Sequence, residues 1–580
     1  MTQVPDHEPI DHGFYLPHHA VVKTSSLTTK VRVVFDGSAK TSSGIALNDS
    51  LMVGPTIQED LFSIITRFRC LRYALTADIE QVYSLSTVTF GTACAPFLAI
   101  RTLHQLAEDE RESFPIASAV LKRDFYVDDL LTGTHTFEEA INLRNDLISF
   151  LKRGSFNLGK WGSKDPELTQ NFSAENSKTF MSLSPAESVK ALGIHWDSAN
   201  DNIFYTVNFP NSKEITTKRS ILSQISKLFD PLGLLGPVVI LAKIWIQQLW
   251  KIQFTWDTPV SQDIQDFWIK YKQQLQLLNK VKFSSFISSP DTAEIQLHGF
   301  CDASEKAYGA CLNLRSTDRQ GRHRSALISS KSRVASLKAT SLPRLELYAA
   351  NLLVKPYTAT FKAFPFEIDK VSFWSDSTIV LNWINVPSHT LKTFVANRVA
   401  EIQAATRSQE WRHVPTLYNP ADMISRGQGP QEFLANTLWS QGPHWLRHDS
   451  STWPQRPFHQ KEIPETKTPS TLSLLISIKE NQEENEILRR FSNTNKLTVV
   501  LAYCLRFIRN LKIRDKTVRR IGNISTEEYK IAFQKVIKIT QAEAFIKELH
   551  SLSQKLPVNS KSSLLNLNPF LEFGLLKSTP

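Results

Sequence analysis

The feature that most constrains this chain is a strand-like run that stops on an acid. It occurs more than once. Ile295-Gln296-Leu297-His298-Gly299-Phe300-Cys301-Asp302 and Val371-Ser372-Phe373-Trp374-Ser375-Asp376 both close on an aspartate. Between them, Tyr308-Gly309-Ala310-Cys311-Leu312-Asn313-Leu314 and residues 325–329 supply two further strands, as an antiparallel start to a sheet requires. Leu342 opens a helix, with Pro343 at a tolerated first-turn position and Glu346 one turn in. Asn419-Pro420-Ala421-Asp422 begins a short last helix. The helix opened at Leu342, packed across the sheet, can bring Glu346 to the edge where Asp302 and Asp376 end. Four carboxylates at one edge do not all stay ionised without cations, so divalent metal is their natural partner. Any one of these acids alone is more often a helix cap or a solvated strand end.

A second cluster stands earlier in the chain. Val31-Arg32-Val33-Val34-Phe35-Asp36 alternates as a strand, and Tyr73-Ala74-Leu75-Thr76-Ala77-Asp78 ends on an acid. Residues 95–111 read as a helix, with Pro96 in the first turn and Leu98, Leu103 and Leu106 on one side. Phe125-Tyr126-Val127-Asp128-Asp129-Leu130-Leu131-Thr132-Gly133 reads as a tight hairpin carrying two adjacent acids. Hard oxygen ligands of this kind suit Mg²⁺. Adjacent acids at a turn, taken alone, are more often a solvated tip.

Composition narrows the class. At 580 residues the chain should hold roughly three to five domains. Lys plus Arg (67) exceed Asp plus Glu (56), a net +11 that suits a polyanionic partner without identifying one. Cys70, Cys94, Cys301, Cys311 and Cys504 form no C-x-x-C pair, which excludes a disulfide scaffold and a zinc ribbon. His18-His19, read as a loop, and His413, read in a strand, are expected to be structural or at the surface. The N-terminus has no apolar run, and the most apolar stretch, 232–245, is broken by Gly233, Gly236, Pro237 and Lys243. An intracellular protein, cytoplasmic or nuclear, with no membrane span is expected.

Tyr126-Val127-Asp128-Asp129 resembles the Y-x-D-D hairpin of reverse transcriptases. Asp78-Ile79-Glu80-Gln81-Val82-Tyr83 resembles their first catalytic strand, in which the aromatic limits ribonucleotide entry. Phe90-Gly91-Thr92-Ala93-Cys94-Ala95-Pro96-Phe97 is similar to the template-gripping segment, and Lys30 and Arg32 fall where a finger strand meets the incoming triphosphate. Five blocks in one order resemble the BEL/Pao group of LTR retrotransposon polyproteins. They are Phe14-Tyr15-Leu16-Pro17-His18-His19, Arg32-Val33-Val34-Phe35-Asp36-Gly37-Ser38-Ala39-Lys40, Leu47-Asn48-Asp49-Ser50-Leu51, Lys190-Ala191-Leu192-Gly193-Ile194-His195-Trp196 and Phe229-Asp230-Pro231-Leu232-Gly233-Leu234-Leu235-Gly236-Pro237. Cys301-Asp302-Ala303-Ser304, Leu345-Glu346-Leu347-Tyr348-Ala349-Ala350, Trp374-Ser375-Asp376-Ser377-Thr378 and Asn419-Pro420-Ala421-Asp422-Met423-Ile424-Ser425-Arg426-Gly427 match the retroelement form of ribonuclease H.

The resemblance implies a multidomain α+β and α/β chain. Reverse transcriptase-like fingers and palm would fill 1–205, a helical thumb or connection 206–290 and a ribonuclease H-like domain 291–430. A Trp-rich packing extension (431–456), a linker (457–486) and a basic helical pre-integrase segment (487–580) would follow, with neither the zinc module nor the acidic core of an integrase before Pro580. Asp78, Asp128 and Asp129 would be the polymerase acids, with Lys30, Arg32, Tyr83 and Gly91 binding substrate. Asp302, Glu346, Asp376 and Asp422 would be the ribonuclease H acids. Two Mg²⁺ ions per site are expected, on Asp78 and Asp128 in the first and on all four acids in the second. The implied partners are an RNA–DNA hybrid and a primer–template; oligomeric state is left open.

One departure matters. Only Ser84 to Thr89 separate Tyr83 from Phe90, at most about 20 Å of extended chain, where reverse transcriptases have some tens of residues. The reading is therefore a palm with an internal deletion between 83 and 90 and no processive DNA synthesis. The ribonuclease H-like part, without such a gap, is expected to be the more active. A non-catalytic nucleic-acid-binding remnant is the alternative. An aspartic peptidase ranks last, because Asp36-Gly37-Ser38 and Asp376-Ser377-Thr378 lack the Asp-Thr/Ser-Gly order.

Overall fold

Alternation in Val31-Arg32-Val33-Val34-Phe35 is answered by an antiparallel partner: β1 (His18–Val22) pairs with β2 (Val31–Phe35), His18 opposite Phe35. A computed structural model of the chain describes residues 16–22, 31–80, 91–170, 189–209, 215–455, 463–467, 488, 490–513, 515, 518–559 and 562–578. Lys30, Tyr83, the 84–89 stretch, the acidic run 480–486 and the side chain of Arg32 lie outside the described residues. His18 and His19 sit in β1 rather than in a loop, because β2 supplies a ladder for them.

The first acidic strand belongs to an antiparallel sheet. β3 (Tyr73–Glu80), β4 (Phe125–Tyr126), β5 (Asp129–Thr134) and β6 (Asn157–Ser163) lie in the order β4-β5-β3-β6. Leu75, Ala77 and Ile79 alternate onto one face and pack against the helices Ala95–Asp109, Pro115–Asp124 and Phe137–Arg153. Ala74 and Leu131 pack instead with Ile64, Ile65 and Phe68 of the helix Leu61–Phe68. Arg69 follows that helix, and its fully buried guanidinium donates to the carbonyls of Ile328 (2.8 Å) and Ser284 (3.1 Å). Desolvation there lowers its pKa to about 10.

A second antiparallel sheet, β10-β9-β8-β7, joins β7 (Val189–Ala191), β8 (Ile194–Asp197) and β9 (Asn202–Phe204) to β10 (Lys282–Ser284). The chain between β9 and β10 is mainly helical: Lys218–Ser226, Gly236–Lys251 and Gln262–Leu275. Asp230 organises it. Half-buried, it accepts hydrogen bonds from the Tyr205 hydroxyl (2.8 Å) and from the backbone N–H groups of Leu234 (2.9 Å) and Leu235 (2.7 Å), just ahead of Gly236–Lys251.

The largest sheet has the order β13-β12-β11-β14-β15, from β11 (Thr292–Ala303), β12 (Ala307–Asp318), β13 (His323–Val334), β14 (Lys370–Ser375) and β15 (Trp411–His413). β11 and β12 are antiparallel, as are β12 and β13; β14 and β15 run parallel to β11 and β14 in turn. On one face Leu297, Cys301 and Phe373 pack with Leu345, Ala349, Ala350 and Leu353 of the helix Leu342–Ala363. On the other, Phe300 and Trp374 join Trp439, Trp445 and Trp453. The Trp-rich stretch thus packs into this core; Trp439 donates to Leu234 O (2.7 Å) and Trp453 to Trp445 O (3.1 Å), whereas Trp445 Nε1 is buried without a hydrogen-bond partner.

Contacts divide the chain into two units, Met1–Pro469 and Ser470–Pro580. Within the stretch expected to be a linker, residues 463–467 are docked. Glu465 pairs with Arg344 (2.7 Å), Pro464 O accepts from Trp383 Nε1 (2.7 Å), and Thr466 bridges Leu391. The second unit holds the helices Thr494–Lys512 and Thr526–Ala544, crossed by a buried pair in which Arg506 reaches both Glu528 oxygens at 2.9 and 2.6 Å.

Replacing Asp230 with Ala should strip two buried N–H groups and a buried hydroxyl of their acceptor. We expect a loss of roughly 3 kcal/mol, seen as a lower urea midpoint of tryptophan fluorescence. An unchanged midpoint would show that Asp230 does not organise this turn.

Candidate active site

Register decides where the acids meet. β11 runs parallel to β14 with Cys301 opposite Ser375, so Asp302 stands beside Asp376, the residue that follows β14. Glu346 lies in the second turn of Leu342–Ala363 and is 8% exposed. One carboxylate oxygen from each of Asp302, Glu346 and Asp376 lies within 4.8 Å of the other two. Among the described residues no other group of three His, Cys, Asp or Glu side chains is this tight. Asp422 heads the short helix Asp422–Arg426, and its Oδ1 accepts from Arg426 Nε at 2.5 Å.

Crowding of like charges is visible in the protonation. Burial, then the charges of Asp302 and Asp376, push Glu346 up to about 9. Asp302 is pushed up to about 7, by burial first and Asp376 second. Asp422 adds to both. Each of the three clustered carboxylates is also held by a donor of the protein. Ser425 Oγ donates to Asp302 Oδ2, Thr416 Oγ1 to Asp376 Oδ2 (2.7 Å), and the backbone of Ala303 to Glu346. Glu346 Oε2 and Asp376 Oδ1 are buried with no hydrogen-bond partner. Unpartnered, buried carboxyl oxygens at this spacing fit a hard divalent cation that displaces the protons.

The earlier cluster is looser. β3 and β5 place Asp78 opposite Asp129, and Asp128 O accepts from Ile79 N (2.9 Å). The hairpin turns at Val127, whose φ is +58°. Burial, then Asp128 and Asp78, push Asp129 up to about 6. Lys160 of β6 pairs with Asp78. Gly91 has a structural reason to be glycine: its φ is +95°, and a Cβ there would lie 1.8 Å from Phe35 O. Asn48 orders the same turn, donating to Gly91 O (3.1 Å) and accepting from Ala93 N (2.8 Å).

Three of these neighbours were not assigned a role from the sequence. Ser425 lies inside a block singled out above, and its role needed the fold. Thr416 and Lys160 carry no local signal; only the loop after β15 and the β3–β6 pairing bring them to their acids.

A five-stranded sheet of this order, with acids at the ends of β11 and β14, defines a ribonuclease H-like domain. A family model described as the Pao retrotransposon-like RNaseH-like domain matches residues 217–377, which include Asp302, Glu346 and Asp376. The chain therefore carries a ribonuclease H-like domain of retroelement origin. No curated protein matches it. RNase H1 from the halophilic archaeon Halobacterium salinarum NRC-1 is similar at 14% identity over 23% of this chain and 94% of its own, with a TM-score of 0.16. Prototype foamy virus protease-reverse transcriptase is similar at 11% identity over 71% of this chain and 51% of its own, with a TM-score of 0.23. No described helix is long and apolar enough to cross a membrane.

In an unfolded chain these carboxyls titrate at roughly 4. Between that pH and about 9 the metal-free fold binds more protons than the unfolded chain, so its stability falls as pH rises through this window. A bound divalent cation takes the protons' place. Added Mg²⁺ should raise the thermal midpoint of the full chain more at about pH 8.5 than at about pH 6. Glu346→Gln should remove most of that gain. An equal gain at both pH values, or one that survives Glu346→Gln, would contradict the site.

Proposed function

We propose that residues 291–430 hydrolyse the RNA strand of an RNA–DNA hybrid with Mg²⁺ held by Asp302, Glu346, Asp376 and Asp422. The observation that carries the reading is the convergence of one oxygen from each of the first three acids within 4.8 Å. When bound, divalent ions at such a site activate water and stabilise charge on the phosphodiester. The chain's own residues do the rest. Asp302 and Asp376 are set side by side by the β11–β14 register, and Glu346 is delivered by a helix whose buried face fixes its rotation. Asp422 lies near enough for its charge to act on Asp302 and Glu346 but outside the three-acid group, and it is paired with Arg426, which a cation would have to displace. A hybrid would be recognised through its shape, phosphates and 2′-hydroxyls.

The N-terminal region is proposed to descend from a reverse transcriptase palm and to be impaired. Supporting the ancestry, Asp78 and Asp129 face one another across β3 and β5. Supporting the impairment, a lysine ammonium occupies Asp78, competing with any cation there.

With Mg²⁺ present, the full chain should cleave the RNA of a hybrid, and Asp302→Asn or Asp376→Asn should reduce cleavage to background. Cleavage persisting in both variants would remove the assigned site; none in the wild type would favour a binding remnant. Primer extension by the unaltered chain should be absent. Robust extension would overturn the reading of the 83–90 stretch as a deletion.

A further inference from the structure

We propose that the hydroxyls of Ser425 and Thr416 are positioning groups that turn Asp302 and Asp376 toward a shared divalent cation. The inference rests on the metal-site reading above. Ser425 is fully buried, and its Oγ meets Asp302 Oδ2. Thr416, at the surface, donates to Asp376 Oδ2 at 2.7 Å. In each case the hydroxyl takes one oxygen of the carboxylate. At Asp376 the other oxygen, Oδ1, is left buried and without a partner, as is Glu346 Oε2.

A carboxylate on a strand end can rotate about its last bond. A donor on one oxygen removes that freedom and leaves the second oxygen for a ligand. The chemistry of the donor matters. A hydroxyl is neutral, so it orients the carboxylate without cancelling its charge. The Lys160 ammonium on Asp78 does the opposite, since it neutralises the acid it holds. Ser425 is anchored from a second side as well. Its carbonyl accepts from Ser304 Oγ (2.6 Å), and its Oγ lies 3.0 Å from Asp422 O. The helix that carries Asp422 is thereby fastened to the turn after Asp302, and one residue sets two acids at once. Both hydroxyls come from the segment between β15 and Arg426, so that segment acts as the outer support of the site.

Outer partners of metal ligands typically contribute about 10–100-fold in metal affinity. The test is a Mn²⁺ titration of the full chain, with free Mn²⁺ read by its EPR signal. The binding that counts is the part abolished by Asp302→Asn. Ser425→Ala should weaken this binding about tenfold or more. Ser425→Thr, which restores the hydroxyl, should stay close to wild type. Thr416→Val, isosteric and exposed, should weaken it measurably but less than Ser425→Ala. Wild-type affinity in Ser425→Ala overturns the proposal, and so does a Ser425→Thr variant as weak as the alanine. If Ser425→Ala does not fold, Thr416→Val decides, and unchanged affinity overturns it. A wild-type chain with no Mn²⁺ binding lost on Asp302→Asn removes the metal site itself, which is a separate and recognisable failure.

Discussion

Three carboxylates held together repel one another, and the surrounding structure is arranged to prevent their separation. The parallel register of β11 and β14 is the constraint on which this depends. A one-residue slip would part Asp302 from Asp376 and put Phe300 and Trp374 on opposite faces of the sheet. Phe300 and Trp374 share a core with Trp439, Trp445 and Trp453, so the slip would also expose large aromatic area. The apolar core fixes the register, and the register imposes the electrostatic strain. Protons on Glu346 and Asp302, or a cation in their place, then relieve it.

The helical region before β11 is a wall of this domain. Ser330 N donates to Leu232 O (2.8 Å), and a Cβ at Gly233 or Gly236 would come within 2.1 Å of Ser330 O or 2.5 Å of its Oγ. Main chain therefore lies directly on β13 at Ser330, which is why the Leu232-Gly233-Leu234-Leu235-Gly236 run needs its glycines. The family match, which begins at residue 217, takes in this wall. Arg69 ties the N-terminal region to the same body by giving its guanidinium donors to carbonyls near β10 and on β13.

Much of the architecture was legible because its signals are local. Alternation marked β3, β11 and β14, Pro343 marked a helix start, and the Asp-Asp pair marked a hairpin turn. Asp302, Glu346 and Asp376, the three acids that the structure brings together, stood in blocks singled out in the sequence. What could not be read were features set by contacts distant in sequence. The joining of β9 to β10 brings together residues about eighty positions apart, so the helical segment cannot be a free-standing module. Lys160 reaches Asp78 only because β6 pairs with β3, and nothing in Asn157–Ser163 announces it. Residues 463–467 look like linker by composition, yet the bonds they make are to residues some 75 to 120 positions earlier.

That docked pentapeptide bears on where the domain ends. Glu465 neutralises Arg344, two residues from Glu346, while Lys392 N and Lys467 N bond to Glu465 O and Thr390 O (2.8 Å each). A fragment cut after the last buried tryptophan would strand a guanidinium at the entrance of the helix that bears Glu346. Ile463 would be missing from the core beside it. The contacts that support the helix Leu342–Ala363 therefore extend past the aromatic stretch to residue 467, and an excised piece that stops short would carry all four acids on an unbuttressed scaffold.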